Sequence, residues 1–424
     1  MNAVLRLGYE GAAQLARALA VVAPSSPNKL VATFAARRGV TGRFAAFERD
    51  ARRPLLWMHA PSVGEGLQAR PLLELVRTRQ PATQVAYTYF SPSARAFASA
   101  LDVDFRDVLP FDATAEMRAA LEALRPTALV FSKLDVWPTL AREASRAGVR
   151  LGLVSATLSA GSSRRTGIAG ALLRDAYARL ERVGAVSTDD ADRLVALGVP
   201  ASRVAVTGDT RYDQVWARAS GVDMGSPLLA PLRSDRPTFV AGSTWPSDER
   251  VLFAAWSRVA ERHPEARLII APHEPNAGHV LPVERWAESA GLRAARLGTP
   301  ASVTADVIVV DRVGVLGDLY ALADMSFVGG GFHGAGLHSV LEPAAYGAPV
   351  LFGPRHTMSR DATALLDADG ALAVEDERAL TAVLTRWIES PDDRRAAGQT
   401  ARAVVQRGLG AAERSYALVA GLLG

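Results

Sequence analysis

The chain has 424 residues, 49% hydrophobic and 22% charged, with 35 glycines, 24 prolines and no cysteine. That composition belongs to a globular protein of two or three domains, and it excludes a disordered chain, a collagen-like repeat, a disulfide scaffold, thiolate metal sites and cysteine nucleophiles. The net charge of +4 is unevenly spread: residues 1–53 carry nine basic against three acidic side chains, a net of +6, and the remainder is close to neutral. Nearly all the basic residues are arginine, Lys29 and Lys133 being the two lysines. The N-terminal segment is alanine-rich, with apolar residues at Leu5, Leu15, Leu19, Val21 and Val22. Its longest apolar run, Ala18–Ala23, is far below the roughly 20 residues that span a bilayer. No small-residue cleavage pattern follows it, so a secretory signal is not expected. Two readings stand for residues 1–53: a basic surface resting on anionic lipid, or a solvated helix.

After residue 53, short apolar runs alternate with helical patterns, the signature of parallel α/β sheets. Strands are predicted at Leu55–Ala60, Gln84–Phe90, Thr127–Ser132, Val149–Ser155, Val183–Ser187 and Val204–Thr207. Helices such as Glu65–Thr78, Pro138–Ala147 and Asp189–Leu197 fit between them. The stretch from His59 to Gly66 follows the first strand and opens a helix. Gly64 and Gly66 permit close backbone approach to a ligand, and a helix start attracts anions. Glu65 offers a carboxylate where a general base belongs, although a carboxylate there also simply favours the helix dipole. Phe131–Pro138 makes a second strand-to-helix turn, with Lys133 and Asp135 within reach of a local ion pair. Gly208–Asp213 ends a third strand and carries Arg211. That guanidinium suits phosphate or developing negative charge, or else a salt bridge to Asp209 or Asp213.

Residues 219–237 are rich in glycine, serine and proline and read as a linker. Strands then follow at Thr238–Ser243, Arg267–Ala271, Asp306–Val310, Met325–Gly329 and Val350–Phe352, with a helix from Ser247 to about Arg262. The C-terminal stretch reads as helix, broken at Pro391 and around Gly408 and Gly410. Gly242-Ser243-Thr244 and Pro272-His273-Glu274-Pro275 end two of these strands. Val328–Pro343 holds five glycines within eight positions, a loop that presents backbone N–H groups to an anion or forms a plain turn. Glu342 beyond it is placed to bind ribose hydroxyls or to cap a helix. No pairing of the seven histidines, His333 and His338 included, has metal-ligand spacing, so no metal is expected. The pattern gives a basic segment at 1–53, an N-terminal α/β domain at 54–218, the linker, a C-terminal α/β domain at 238–405 and a final helix at 406–424. Two Rossmann-like halves resemble the GT-B glycosyltransferase architecture, whose sites lie on loops after the strands and face an interdomain cleft.

The chain also resembles the 3-deoxy-D-manno-octulosonic acid (Kdo) transferases of lipopolysaccharide synthesis, from about Arg37 to the C-terminus. The likeness is carried by Ser62–Glu65, Asp135–Pro138, Val154–Ser159, Asp192-Arg193-Leu194 with Gly198, Gly208–Asp213 and Gly242–Thr244. It continues through Pro272-His273, Leu319-Tyr320, Val328–Gly330 and Leu341–Ala344. The resemblance implies an inverting transfer of Kdo from CMP-Kdo to a hydroxyl of a phosphorylated lipid A precursor, with CMP released. It implies Glu65 as catalytic base, and Asp135 and Arg211 as transition-state residues. CMP is expected on Pro272, His273, Val313, Gly314, Val315, Ser339, Val340, Leu341 and Glu342. No cofactor, metal or nucleic-acid partner is implied, and the place of action is the cytoplasmic face of the bacterial inner membrane, with peripheral contact to anionic lipid. The chain departs from the family pattern at Lys133 and Val315, where the family usually has Glu, at His273, where it has Arg, and at Ser339, where it has Asn. Two alternatives follow from those departures: a GT-B transferase using another activated sugar, or a catalytically lapsed, membrane-associated binding protein.

Overall fold

The computed structural model describes residues 3–22, 28–334 and 336–424; Ala23, which ends the apolar N-terminal run, and Ala335 of the glycine loop lie outside these. The chain forms two compact units, Met1–Gln214 with Leu409–Gly424, and Val215–Gly408.

The first unit is built on seven parallel strands: β1 (Leu55–His59), β2 (Gln84–Tyr89), β3 (Phe105–Val108), β4 (Ala128–Ser132), β5 (Arg150–Ala156), β6 (Arg182–Ala185) and β7 (Val204–Val206). Their order is β3-β2-β1-β4-β5-β6-β7. β1, β2 and β4 are buried along their whole length, as central strands of a parallel sheet covered on both faces are. The register sets His59 beside both Thr88 and Phe131, so β1, β2 and β4 end side by side.

The second unit repeats the plan with β8 (Thr238–Thr244), β9 (Arg267–Pro272), β10 (Ala294–Arg296), β11 (Val307–Val309), β12 (Met325–Val328), β13 (Val350–Phe352) and β14 (Ala371–Ala373). The order here is β10-β11-β9-β8-β12-β13-β14.

Three strands, β3, β10 and β14, have no predicted counterpart, and all three lie at sheet edges. β10 and β14 are only three residues long, and β3 and β10 carry charged side chains, which leaves each too weak an apolar signal. In β3, Arg106 is exposed and Asp107 accepts from Arg43 at 2.6 Å. Residues 219–237 also differ from expectation. Leu229 and Leu232 are buried, and Val222, Met224 and Leu228 pack with them against Val240, Ile269, Ile308 and Tyr320. Glycine and proline punctuate this segment, but the leucines between them make it part of the second unit's core rather than a free linker.

The last helix, Ala411–Leu423, belongs to the first unit. Val419, Leu422 and Leu423 join its core, and a Cβ added to Gly152 of β5 would stand 2.7 Å from Leu422. Asp213 caps this helix by accepting from the N–H groups of Gly410 (2.7 Å) and Ala412 (2.9 Å).

At the other end of the chain, helix Ala3–Val22 lies inside out. Tyr9 donates to Asp112 at 2.8 Å, and Glu10 accepts from the Thr114 N–H and hydroxyl at 2.9 and 2.7 Å, so its polar side faces the unit. Val4, Leu7, Leu15 and Leu19, spaced to share one helix face, are each at least half exposed.

Candidate active site

In the first unit the chain passes from β1 through an extended Ser62 into helix Val63–Arg79. Ser62 does not cap the helix backbone; its hydroxyl donates instead to Glu65 Oε2. From the neighbouring strand β4, Lys133 places Nζ 3.1 Å from Glu65 Oε1, and Ser132 donates to the Glu65 carbonyl at 3.2 Å. Burial pushes the Glu65 carboxyl up, but the Ser62 hydrogen bond and the Lys133 charge outweigh it and hold the group below the usual glutamate range. The side chain is therefore an ionised carboxylate at neutral pH, the state a general base needs. Gly66 has a different role from the one its position suggested. A Cβ there would lie 2.4 Å from the Phe97 ring and 2.7 Å from Tyr87 Oη, so the glycine serves packing inside the unit rather than approach of a ligand.

The local Lys133–Asp135 pair does not form. Asp135 instead receives Arg164 at 2.6 Å, and the same guanidinium donates to the Leu134 carbonyl at 2.6 Å. Tyr177 adds a 2.7 Å bond to that carbonyl, so the turn carrying Lys133 and Asp135 is pinned from a helix distant in sequence. Trp137 stacks on Phe90 and donates to His59 Nε2 at 3.0 Å. His59 therefore carries its proton on Nδ1, facing Thr88 Oγ1 at 3.0 Å. Burial, reinforced by Arg37, pulls its pKa down to about 3, and the imidazole is neutral and structural.

Arg211 makes the salt bridge rather than standing free for a ligand. It grips Asp209 Oδ2 through two nitrogens at 2.9 and 2.7 Å. Gln68, one turn beyond Glu65, reaches Asp209 at 3.4 Å, and Thr210 donates to the Gln68 carbonyl at 2.7 Å. Helix Val63–Arg79 thus ties Glu65 and the Arg211 turn to one support, while Asp135 shares the turn of Lys133.

In the second unit, the residues expected to hold a nucleotide lie on loops after β9, β11 and β12, which with β8 are four neighbours in the sheet. Pro272 is buried and His273 exposed at the end of β9. Val313 is exposed, and Arg218 steadies its loop by donating to the Gly314 carbonyl at 3.3 Å and to Asp318 at 2.8 Å. Val315 stands at the position before the short helix Leu316–Leu319 and makes no side-chain cap. Ser339 is exposed, Val340 and Leu341 are buried, and Glu342 is half-buried; burial raises the Glu342 carboxyl against the opposing charge of Arg218.

Within the glycine loop, two backbone amides already have an acceptor of the protein's own. Buried Asp248 accepts from the N–H groups of Trp245 (2.9 Å), Gly330 (2.8 Å) and Phe332 (3.0 Å). The protein's own carboxylate occupies those amides. Above it stands a feature the sequence did not announce: the Trp245 indole lies between His333 (4.3 Å between centroids) and His273 (4.6 Å), and His338 stacks on His273 at 4.4 Å. Trp245 also donates to His338 Nε2 at 3.1 Å, and burial, with His273 and His333 nearby, lowers the pKa of His338. The available signal was positional: Trp245 and His273 follow directly on the carboxyl ends of β8 and β9, and His333 and His338 lie on the loop after β12. Among the described residues no group of three His, Asp or Glu side chains is arranged as metal ligands.

The profile of a family described as 3-deoxy-D-manno-octulosonic-acid transferase (kdotransferase) matches residues 36–214. Among solved structures, the chain is similar to the UDP-GlcNAc 2-epimerase of Neisseria meningitidis bound to UDP-GlcNAc, with a TM-score of 0.64 at 15% identity over 87% of this chain and 99% of that one. It is also similar to a glycosyltransferase from Rickettsia africae, with a TM-score of 0.57 at 11% identity over 88% and 99%. At those identities the likeness is one of fold: two Rossmann-like units of the GT-B kind. The 3-deoxy-D-manno-octulosonic acid transferase of Haemophilus influenzae is 26% identical over 85% of each chain. That of Bordetella pertussis is 30% identical over 88% of this chain and 89% of its own, and on a likeness running through both units this chain belongs to the Kdo transferase family.

Proposed function

We propose that this glycosyltransferase moves Kdo from CMP-Kdo to a hydroxyl of a phosphorylated lipid A precursor, at the cytoplasmic face of the inner membrane. The observation that carries the chemistry is the ionised Glu65 carboxylate, held between Ser62 and Lys133 at the carboxyl edge of the first sheet. Glu65 takes the proton of the acceptor hydroxyl as that oxygen bonds to the Kdo anomeric carbon. The bond from that carbon to the CMP phosphate breaks, and its electron pair leaves with CMP. Arg211 and Asp135, each already ion-paired, hold the shape of the loops around the base. The second unit takes the nucleotide on the loops after β9, β11 and β12. A donor screen with purified protein and lipid A precursor tests this reading: CMP is expected to appear only with CMP-Kdo. A preference for UDP-sugars, or tighter calorimetric binding of UDP than of CMP, would overturn the donor.

The membrane placement rests on the inside-out helix. No helix among the described residues is long and apolar enough to cross a bilayer. Helix Ala3–Val22 nonetheless turns Val4, Leu7, Leu15 and Leu19 to solvent, within a segment of net charge +6. Apolar side chains bordered by arginine fit the boundary of an anionic leaflet. The chain is expected to float with vesicles containing phosphatidylglycerol and much less with phosphatidylcholine alone. Replacing Leu7, Leu15 and Leu19 by Ser should reduce flotation at least about tenfold. Equal flotation of the two proteins removes this placement.

A further inference from the structure

Lys133 reaches the candidate base from a strained position. Its φ of +68° is left-handed, an arrangement lysine rarely adopts, and its backbone N–H is fixed to the Val154 carbonyl at 2.8 Å. That geometry turns the side chain from the end of β4 towards β1, where Nζ meets Glu65 Oε1 at 3.1 Å. Among the described residues Glu65 is the one hydrogen-bond partner of this ammonium. Ser62 holds the other carboxylate oxygen, so both oxygens have a fixed donor and the plane of the carboxylate is set.

We propose that Lys133 is the positioning residue for Glu65: its ammonium orients the carboxylate and sets the lowest pH at which that base works. The proposal rests on Glu65 being the base. The other ionisable groups around the carboxylate leave this role to Lys133. Tyr87, from β2, is a neutral phenol pushed further up by burial. His59, at the end of β1, is neutral above about pH 3. Asp135, on the turn of Lys133, is neutralised by Arg164 at 2.6 Å, and Asp209, reached through Gln68, by Arg211 at 2.7 Å.

An adjacent cation favours the charged carboxylate, so removing it raises the proton affinity of Glu65 and moves the loss of activity on acidification to higher pH. Because the ammonium is nearly half exposed, the effect sits at the small end of the usual range. For Lys133→Met, the acid limb of the kcat/KM profile for Kdo transfer is expected to move up by about one pH unit. Lys133→Arg should keep the limb in place, and Lys133→Gln, also uncharged, should move it as Met does. Having two uncharged variants keeps the test open should one fail to fold.

Glu65→Gln, assayed in parallel, separates the two claims. If Glu65→Gln is inactive while both uncharged Lys133 variants keep the parental limb, the Lys133 assignment falls and the base stands. If Glu65→Gln turns over like the parent, the base reading falls and this proposal with it.

Discussion

Glu65→Gln is expected to lower the rate of Kdo transfer by about 10²–10⁴-fold, the range a positioned general base contributes. The amide fills the same space and keeps a partner for Ser62, but it has no affinity for the acceptor proton. It also gives up the ion pair with Lys133. That pair is partly solvated, so its loss is expected to change stability by less than about 1 kcal/mol. The variant should therefore melt near the parental temperature and bind CMP with the parental affinity in calorimetry, since the candidate nucleotide loops belong to the other unit. A single-turnover assay at saturating CMP-Kdo reads the chemical step directly. Parental turnover would end the assignment of Glu65.

The second large effect is expected at Gly329, where β12 gives way to the glycine loop. An added Cβ would lie 2.1 Å from the Ser243 carbonyl oxygen and 2.8 Å from Thr244 Cα. Both neighbours are backbone at the end of β8, and Gly329 itself donates to the Gly242 carbonyl at 2.9 Å. Neither side has a rotamer with which to yield. Gly329→Ala should therefore cost about 3 kcal/mol, the upper end for overpacking, and weaken CMP binding by displacing Trp245 and its stacked histidines. Gly334→Ala in the same loop is the matched control, because its Cβ meets nothing nearer than Arg355 at 3.8 Å. Chemical denaturation and calorimetry on the pair measure both effects. Parental stability and CMP affinity in Gly329→Ala would show that the loop tolerates the shift.

The contrast between what could and could not be read along the chain has a physical basis. Central strands such as Leu55–His59 announce themselves because burial on both faces demands an unbroken apolar run. Edge strands such as Ala294–Arg296 carry no such demand. The turn holding Glu65 was legible as a strand-to-helix junction, but its partner Lys133 was not, since a charge pair bridging 68 positions leaves no local pattern. The same holds for Arg164 on Asp135 and Arg218 on the Val313–Val315 loop. The internal acceptor of the glycine loop was hidden for a related reason. The loop's composition signals amides in need of an acceptor, and for Gly330 and Phe332 that acceptor is Asp248, on a helix far upstream.

The return of Leu409–Gly424 to the first unit makes that unit discontinuous in sequence, with the whole of Val215–Gly408 inserted between its parts. Synthesis delivers the chain from its N-terminus, so the unit begun first is the last to be completed. The inserted unit is continuous and has all its strands before the final helix is made. Until that helix emerges, the surface of β5 beside Gly152 lacks Leu422, and the early sheet waits with an apolar face in need of protection. A chain cut short by premature termination near residue 409 would thus keep its second unit and leave its first unfinished. Quality control on the ribosome would meet a half-built protein whose defect lies at the end made earliest.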